Sequence, residues 1–333
     1  MEIPLTTIAI IIAIYYALRY LWELIPVGGL HEKVVFISGC DSGFGRALAL
    51  KCARAGMTVF AGCLTKLGEQ SLQKESPGLP LKTVPLDVTS DESVLKAREF
   101  VEANLKGKKL WAVVNNAGIF TCYGPDDWCS IDDHRLSLEV NTLGVVRCTQ
   151  AFMDVIKENE GRIVSVSSVA GRIALAGGAP YAAAKYAVEG YMDVIRQETH
   201  YYNVKVSILE PGIFKSTSLL DKEAMNRRVD QVYSKLPQKR KDLWGDEFKE
   251  FFKHKWNTTL HAMGSTHTEY VVDNYFHAIT ARFPRDRYAC GWDAIFIYIP
   301  MSFAPSIVQD TIMRIIAKRE CLPNYLKKKL KQN

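Results

Sequence analysis

Short apolar runs rich in β-branched residues alternate with amphipathic stretches along most of the chain, from Lys33 onward. Runs of this kind predict strands, whereas apolar positions three and four residues apart predict helices. The predicted strands are Val34–Ser38, Thr58–Cys63, Leu81–Leu86, Leu110–Val114, Arg162–Val166 and Lys205–Leu209. The predicted helices lie near Arg46–Ala55, Asp91–Leu105, Asp132–Lys157 and Tyr181–Thr199. Regular alternation predicts an α/β fold, with a doubly wound parallel sheet that helices cover on both faces.

An uncharged apolar segment from Ile3 to Leu18 precedes the first predicted strand. A membrane-spanning helix needs about 17 to 25 apolar residues, a length this segment reaches at Ile25 if the Arg19 side chain extends to the membrane surface. We therefore expect residues 1–28 to form a membrane-anchor helix and a linker. A cleaved signal peptide fits less well, because no basic residue precedes the apolar segment. A buried core helix is the remaining alternative.

Two further regions depart from the main alternation. Residues 216–267 are charged, rich in aromatic residues and without strand signals, which predicts a helical insertion or a flexible loop region. The stretch Ala294–Ala317 is apolar and is followed by a basic tail. The expected organisation is an anchor over 1–28, one domain over 29–293 that contains the insertion, and a C-terminal helical extension with its tail over 294–333.

The net charge of +6, from 42 basic and 36 acidic residues, resides almost entirely in this tail. The rest of the chain is near neutral, which argues against nucleic-acid binding. The eight cysteines include no Cys-x-x-Cys pair, and the seven histidines include no His-Glu-x-x-His. We therefore expect neither a disulfide framework nor a metal site.

The first predicted strand runs into a glycine-rich turn, in which Gly39, Gly43 and Gly45 follow the spacing G-x-x-x-G-x-G before a helix. Glycines let the backbone approach a pyrophosphate, whose charge a helix N-terminus stabilises. The spacing indicates a dinucleotide site, although an ordinary strand-to-helix turn has the same composition. No acidic residue ends the second strand, where Lys66 is either a 2′-phosphate contact or simply solvated. Asp87 after the third strand pairs with the adenine amino group or caps a helix.

Three residues in the second half of the chain suggest proton-transfer chemistry. Ser168 follows a predicted strand, and Tyr181 and Lys185 lie four residues apart, which places both side chains on one helix face. A lysine ammonium beside a phenol favours the phenolate, so we expect the pKa of Tyr181 to be lowered towards the range useful for a general acid/base. Ser168 can then stabilise the charge that develops on a substrate oxygen. Tyr-x-x-x-Lys alone is also a common surface pair.

These motifs together resemble the short-chain dehydrogenase/reductase family, whose pattern covers the chain from about Lys33 to Tyr288. The resemblance implies a Rossmann-type fold and a nicotinamide cofactor; we expect NAD, and the sequence leaves NADP open. The catalytic residues it implies are Asn141, Ser168, Tyr181 and Lys185. The cofactor-binding residues it implies are Gly39, Ser42, Gly43, Phe44, Gly45, Cys63, Asp87, Val88, Asn115, Ala117, Gly118, Tyr181, Lys185, Pro211, Gly212, Ile213 and Ser216.

The resemblance is closer to the retinol and hydroxysteroid dehydrogenase branch. It rests on the turn with Cys40 and Asp41, on Cys63-Leu64-Thr65, and on the segments Ala281–Tyr288 and Gly291–Asp293. It implies reversible conversion of hydroxyl to carbonyl groups on retinoids or hydroxysteroids, an N-terminal membrane anchor, and a dimer or tetramer. Two enzyme alternatives stay open, a 3-hydroxybutyrate-type dehydrogenase and a reductase of xenobiotic carbonyls. A third alternative is a cofactor- or lipid-binding scaffold without enzyme activity.

The segment after Pro211 is expected to set substrate specificity. An apolar pocket there can be lined by Ile213, Phe214, Leu219, Leu220, Trp244, Phe248 and Phe251, although each is equally an ordinary core residue. A small hydroxy acid would instead need a cationic anchor, for which Lys215, Arg227 and Arg228 are the candidates.

The last residues suggest a location in the cell. Lys329 and Lys331 resemble a dilysine retrieval signal of endoplasmic-reticulum membrane proteins, and the charges that flank the anchor place the main domain in the cytosol. The alternative is a basic tail that touches anionic lipid. If the main domain lies in the cytosol, the glycosylation sequon at Asn257 should stay unmodified.

Overall fold

Seven strands form the centre of the computed structural model, which describes residues 4–121, 123–215, 221–316 and 321–332. They are β1 (Lys33–Ile37), β2 (Thr58–Cys63), β3 (Leu81–Pro85), β4 (Lys109–Asn115), β5 (Arg162–Val166), β6 (Lys205–Pro211) and β7 (Arg287–Cys290). All neighbours pair in parallel, in the order β3-β2-β1-β4-β5-β6-β7. The order in which successive strands are added to the sheet reverses between β1 and β4. The carboxyl ends of the strands at such a point are where α/β sheets bind ligands.

Helices cover both faces of this sheet, which confirms the predicted doubly wound fold. They are α1 (Leu5–Glu23), α2 (Gly43–Arg54), α3 (Lys66–Glu75), α4 (Asp91–Ala103), α5 (Ile131–Leu138), α6 (Gly144–Glu158), α7 (Ala179–Glu198), α8 (Lys222–Ser234), α9 (Gln238–Trp244), α10 (Asp246–Met263), α11 (Glu269–Thr280), α12 (Ile299–Ser302), α13 (Ser306–Ile316) and α14 (Asn324–Gln332). One core packs α2 and α11 against the sheet, and the other packs α4, α6 and α7 against its opposite face.

The structure differs from the predicted elements in three places. Strand β7 and helix α3 were not predicted, and the helix predicted over Asp132–Lys157 is interrupted by a π-helical turn at Glu139–Leu143. The region predicted as an insertion or loop is helical where it is described, as α8, α9 and α10. These helices pack around Trp128 into an aromatic cluster of their own.

Helix α1 forms where the apolar N-terminal segment predicted a helix, and its isoleucine and tyrosine side chains are exposed. Across the described part of the chain, no helix has the length and apolar character needed to cross a bilayer. The end of α1 is fixed to the main domain. Arg285 Nε donates to the Glu23 carboxylate at 2.7 Å, and His277 Nε2 lies 2.9 Å from the Glu23 carbonyl oxygen. Trp22 stacks on Phe283, so α1 leaves the domain in a defined direction.

Candidate active site

The glycine-rich turn between β1 and α2 has the geometry of a phosphate cradle. Gly39 has φ +73°, and a Cβ there would lie 2.7 Å from the Ala117 backbone. A Cβ on Gly45 would lie 2.4 Å from the Gly39 carbonyl oxygen, so this turn requires glycine at both positions. Gly43 has φ +63° and open space above it. Ser42 is the N-cap of α2 but makes no side-chain cap hydrogen bond, which leaves first-turn N–H groups available to an anion.

Asp41 organises the end of β2. It is part of the turn that carries the family resemblance, but the sequence predicted no role for it. The Asp41 carboxylate accepts from the backbone N–H groups of Leu64 and Thr65 at 2.8 and 2.9 Å, and from the Thr65 hydroxyl at 2.7 Å. It therefore places a negative charge at the strand end where an adenosine ribose binds in this type of fold. Lys66 is exposed, and Cys63 is buried directly before this loop.

The predicted adenine contact lies beyond β3. Asp87 Oδ1 accepts from the backbone N–H and the hydroxyl of Thr89, at 2.9 and 2.7 Å. The N-cap of α4 is Ser90, so the alternative role of Asp87 as a helix cap is wrong. Val88 next to it packs against Gly144, on which a Cβ would lie 2.8 Å from the valine side chain.

Two asparagines at the end of β4 join neighbouring elements through hydrogen bonds. Asn115 is buried and donates to Thr149 and Ser165, both at 2.9 Å, so its side chain joins β4 to α6 and β5. Asn116 was not among the predicted site residues. Its amide donates to the carbonyl oxygens of Ser38 and Gly39 at 3.1 and 3.0 Å, which holds the glycine-rich turn against β4.

Gly118 and Asn141 meet at the centre of the site. A Cβ on Gly118 would lie 2.9 Å from Asn141 Oδ1 and 3.7 Å from Lys185 Nζ. Asn141 is fully buried in the π-helical turn, and it pairs with the backbone N–H and carbonyl of Ile119 at 2.9 and 3.0 Å. Its described bonds thus position the Gly118–Ile119 backbone. The catalytic role of Asn141 that the resemblance implied stays a prediction.

Ser168, Tyr181 and Lys185 converge as their spacing predicted. Ser168 lies two residues beyond the end of β5, and its hydroxyl is close enough to the Tyr181 hydroxyl to lower the pKa of that phenol. The Lys185 ammonium lies 5.6 Å from the centroid of the Tyr181 ring and donates to the Val166 carbonyl oxygen at 3.1 Å. The structure therefore brings together the serine, tyrosine and lysine needed for proton transfer to and from a substrate oxygen.

The expected direction of the Tyr181 pKa was wrong for the protein alone. Burial raises the pKa of Tyr181 to about 12, and the hydrogen bond with Ser168 opposes this rise only partly. Burial also lowers the pKa of Lys185 to about 8, while the nearby Glu189 carboxylate favours the ammonium. Lys185 donates to a carbonyl of β5 rather than to the phenol, so its stabilisation of a phenolate is weaker than the sequence suggested.

Asp293 shapes the loop after β6. It belongs to a segment that carries the family resemblance, but the sequence predicted no role for it. Asp293 Oδ2 accepts from the Ile213 backbone N–H at 2.8 Å. A Cβ on Gly212 would lie 2.1 Å from Asp293 Oδ1, so only glycine fits beside this carboxylate. Pro211 ends β6, and its carbonyl oxygen lies 3.5 Å from the Ser168 hydroxyl. Ser216, a predicted cofactor-binding residue, lies outside the described residues.

Aromatic residues form a wall beside Tyr181 that the sequence did not reveal. Phe120 contacts the Tyr181 ring edge-to-face with centroids 5.0 Å apart, and Trp256 lies nearly parallel to Phe120 at 6.5 Å. Phe252 in turn stacks on Trp256 at 5.8 Å. Trp256 and Phe252 come from α10, so the helical insertion does supply apolar side chains next to the reacting group.

Most residues proposed for the pocket from sequence have other positions. Phe248, Trp244 and Phe251 pack around Trp128 in the core of the insertion, and Phe214 lies in the core of the sheet. The alternative that these are core residues is therefore correct for all four. Leu219 and Leu220 lie outside the described residues. Among the candidate cationic anchors, Arg227 pairs with Glu223, whereas Arg228 donates to the Phe120 carbonyl oxygen at 3.4 Å.

The remaining predictions concern metals, disulfides and the sequon. In the described ranges, no cluster of ligating side chains can hold a metal ion, and the seven described cysteines are all free. Asn257 is buried, and its amide donates to Asn226 Oδ1 and to the Lys253 carbonyl oxygen, both at 2.8 Å. The folded protein thus uses this amide in its own packing, and the expectation that the sequon is unmodified stays a prediction.

The sequence of this chain is similar to those of known proteins. The family model described as short chain dehydrogenase matches residues 33–227. A 17-beta-hydroxysteroid dehydrogenase type 6 from Rattus norvegicus is 39% identical over 311 residues, which cover 93% of this chain and 96% of the relative. A 3beta-hydroxysteroid dehydrogenase from Caenorhabditis elegans is 46% identical over 288 residues, 84% of this chain and 74% of the relative. Retinol dehydrogenase 7 from Rattus norvegicus is 37% identical over 303 residues, which cover 91% and 94% of the two chains.

Solved structures agree on the fold. A short-chain dehydrogenase from Streptomyces avermitilis superimposes with a TM-score of 0.66 at 23% identity, and the match covers 87% of this chain and 98% of that one. A short chain dehydrogenase from Burkholderia cenocepacia, solved in complex with NADP, gives a TM-score of 0.62 at 21% identity and covers 84% and 96% of the two chains.

Proposed function

The chain belongs to the short-chain dehydrogenase family, and from that membership we propose that it interconverts hydroxyl and carbonyl groups on steroids or retinoids. It is a nicotinamide-dependent oxidoreductase, so the alternative of a scaffold without activity is set aside. The observation that carries the proposal is the convergence of Ser168, Tyr181 and Lys185 at the carboxyl edge of the sheet, beside the glycine-rich turn.

The residues present fit a nicotinamide dinucleotide. The Gly43 turn and the free first-turn N–H groups of α2 suit its pyrophosphate, and the loops after β4 and β6 flank the nicotinamide position. When bound, the cofactor accepts or supplies the hydride.

The chain's own residues move the proton. During carbonyl reduction, the Tyr181 hydroxyl donates its proton to the substrate oxygen, and during alcohol oxidation it takes the proton back. The Ser168 hydroxyl donates a hydrogen bond to the same oxygen and stabilises the charge that develops on it. Lys185 supplies the positive charge that stabilises the Tyr181 phenolate formed in reduction. Phe120 excludes water from one side of the tyrosine ring.

Two observations support an apolar substrate with fused or conjugated rings. The wall of Phe120, Trp256 and Phe252 begins in contact with Tyr181 and offers flat apolar faces to a ligand. The relatives named for hydroxysteroids and retinol align with the chain over nearly its whole length. Arg228 reaches this wall, but its guanidinium is bonded to the Phe120 backbone carbonyl, which weakens the small hydroxy-acid alternative.

We propose NAD rather than NADP as the preferred cofactor. The Asp41 carboxylate is fixed by three hydrogen bonds at the end of β2, where it would repel a 2′-phosphate. Arg46 is a half-buried cation beside this loop, and its guanidinium is bound to Glu75, Ser71 and the Asp41 carbonyl oxygen. Lys66 is exposed and is the one remaining residue in this loop that can favour NADP.

The test is turnover by membranes that contain the full-length protein. All-trans-retinol, 3- and 17-hydroxysteroids and 3-hydroxybutyrate are each supplied with NAD and with NADP, and the absorbance of the reduced cofactor is followed. We expect turnover of a steroid or retinoid, with a kcat/KM at least about tenfold higher for NAD, the effect of roughly 1.4 kcal/mol. Turnover of 3-hydroxybutyrate alone would overturn the lipophilic substrate, and a preference for NADP would overturn the role of Asp41.

For location, we propose that α1 attaches the enzyme to the endoplasmic-reticulum membrane with the main domain in the cytosol. The exposed isoleucines of α1 offer a lipid-facing surface. Exposed Trp292, Phe296 and Phe303 add apolar surface at the start of the C-terminal extension. The inner side of that extension packs on Val169 and Ile173, which follow Ser168, so a lipophilic substrate would have a short route from membrane to site. A homo-oligomer stays a prediction.

Charged substitutions in α1 test this attachment. We expect Ile11→Glu combined with Ile14→Glu to move most of the protein from the membrane pellet to the supernatant, because a carboxylate strongly disfavours insertion into lipid. Leu67→Glu, at an apolar residue exposed on α3, is the matched control and should stay in the pellet. Protease added to sealed microsomes should digest the wild-type domain; protection from the protease would contradict the cytosolic orientation, and an unchanged pellet would contradict attachment by α1.

A further inference from the structure

Two buried carboxylates and two half-buried arginines form a cluster of charged side chains one helical turn beyond Lys185. It consists of Arg172, Glu189, Glu210 and Arg287 and is called the charge cluster below. Arg287 Nη1 donates to the Glu189 carboxylate and, at 2.9 Å, to Glu210 Oε1. Arg172 Nη1 donates to the same Glu210 oxygen at 2.7 Å. Glu189 and Glu210 are 6% and 1% exposed, so these carboxylates depend on their arginine partners.

Each member of the charge cluster comes from an element that carries part of the active site. Arg172 ends the short helical turn after Ser168, and Glu210 directly precedes Pro211 in β6. Arg287 begins β7, the strand that the sequence pattern did not reveal. Since buried ion pairs fix the relative positions of the elements that they join, the charge cluster holds these three elements and α7 in register.

Glu189 is the member closest to the chemistry. Tyr181, Lys185 and Glu189 follow one another at intervals of four residues on α7, so they share one helix face, with each side chain about one turn from the next. Lys185 and Glu189 are both buried. Glu189 also packs against the segment after Ser168, because a Cβ on Gly171 would lie 3.0 Å from Glu189 Cγ.

We propose that Glu189 and Arg287 are positioning residues for proton transfer: Arg287 fixes the Glu189 carboxylate one turn behind Lys185, and this carboxylate keeps Lys185 charged and in place. Neither residue is placed in contact with cofactor or substrate. The proposal deepens the proposed function and rests on it for the identity of the reaction. It gives a role to Ala281–Tyr288, a segment that resembles the retinol and hydroxysteroid dehydrogenase branch.

The surroundings determine the sign of the expected effect. Lys185 faces Tyr181 and Glu189 on its own helix, Asn141 from the π-helical turn and the Val166 carbonyl of β5. Glu189 faces Arg287 of β7 and Glu210 of β6, and burial beside Glu210 raises the pKa of Glu189 while Arg287 lowers it. The pKa of Lys185 is about 8, and the negative charge of Glu189 raises it against the effect of burial. Removal of that charge therefore lowers the Lys185 pKa further.

Glu189→Gln tests the proposal, since glutamine keeps the shape and an acceptor for Arg287 but removes the charge. Tyr181 keeps its proton over the working range, so carbonyl reduction by the wild type should fall above about pH 8 as Lys185 loses its proton. In Glu189→Gln we expect this fall about one pH unit lower, which makes kcat roughly tenfold smaller at pH 9. Asp193→Asn is the matched control: Asp193 binds Arg287 at 2.6 Å but is one further turn from Lys185, and its profile should match the wild type.

A second readout separates this proposal from the proposed function. The dissociation constant of NADH or NADPH for the full-length protein, measured by fluorescence against pH, needs no substrate, and Lys185 is a predicted cofactor contact. Its alkaline weakening should shift in Glu189→Gln in the same way as kcat. If retinal and ketosteroids are not reduced by the wild type, the proposed function fails. The titration of cofactor binding still tests whether Glu189 keeps Lys185 charged.

Folding is checked by thermal unfolding of each variant. If Glu189→Gln does not fold, Glu189→Asp keeps the charge but withdraws it from Lys185, and a smaller shift in the same direction is expected. Identical pH profiles of the wild type, the Glu189 variant and Asp193→Asn would show that the charge cluster is only structural and would overturn the proposal.

Discussion

Replacement of Tyr181 by phenylalanine should lower kcat by about a thousandfold, since a positioned general acid/base contributes about 10²- to 10⁴-fold to the rate. The ring stays, so its edge-to-face contact with Phe120 is retained. The interaction of the phenol hydroxyl with Ser168 is lost. The dissociation constant of the cofactor should change by less than about threefold, an effect below 1 kcal/mol. The measurement is single-substrate kinetics on the steroid or retinoid that the wild type converts, with cofactor binding measured in parallel.

Tyr186→Phe is the control for this variant. Tyr186 lies five residues further along the same helix and is 45% exposed, so its hydroxyl should contribute nothing to the rate. A Tyr181→Phe enzyme that keeps more than a tenth of the wild-type kcat would show that another group transfers the proton. A loss of cofactor binding in Tyr181→Phe would instead mean that the variant perturbs the whole site.

Local spacing was enough to predict the residues that lie on one element. Tyr181 and Lys185 are four residues apart on a helix, and this period fixes their common face without any tertiary information. The glycines before α2 were visible because a turn with positive φ and a close backbone approach leaves few residue types available. Five of the six predicted strands were visible because they are buried on both faces and are therefore largely apolar, whereas the edge strand β3 is partly exposed.

Contacts between distant segments could not be predicted in this way. Strand β7 has only four residues and includes Arg287, whose charge is compensated by carboxylates from α7 and β6. Asp293 acts on Gly212 and Ile213 across 80 positions of sequence, and no pattern in either segment reveals the partner. The aromatic residues of the insertion have the same composition whether they face Tyr181 or the core around Trp128.

The pKa of Tyr181 shows the same limit in the electrostatics. The sequence predicted the neighbour, Lys185, and hence the sign of its effect on the phenol. It did not predict that burial would dominate, nor that the ammonium would donate to the Val166 carbonyl. The balance between a charge and desolvation depends on depth within the fold, which one helix cannot report.

The second large effect is expected for Gly39→Ala, which should weaken cofactor binding by at least about a hundredfold, or roughly 2.7 kcal/mol. Gly39 has φ +73°, and an alanine Cβ would lie 2.7 Å from the Ala117 Cα and 3.0 Å from the Ala117 nitrogen. Backbone atoms at this distance cannot rotate away as a side chain can. The turn must therefore shift away from β4, and the Asn116 bonds to Ser38 and Gly39 that hold it are strained. Cofactor binding is measured by fluorescence titration, and folding by thermal unfolding.

Gly56→Ala separates the cost of backbone conformation from the collision. Gly56 has φ +86°, so alanine there carries the same left-handed penalty of about 1 to 2 kcal/mol, but nothing lies within 4 Å of its Cβ position. Gly56 lies in the turn between α2 and β2, at the opposite end of α2 from the glycine-rich turn. We expect Gly56→Ala to lower the melting temperature while cofactor affinity is unchanged. If Gly39→Ala loses stability only to the same extent and still binds cofactor normally, the close approach of the turn to β4 is not what shapes the cofactor site.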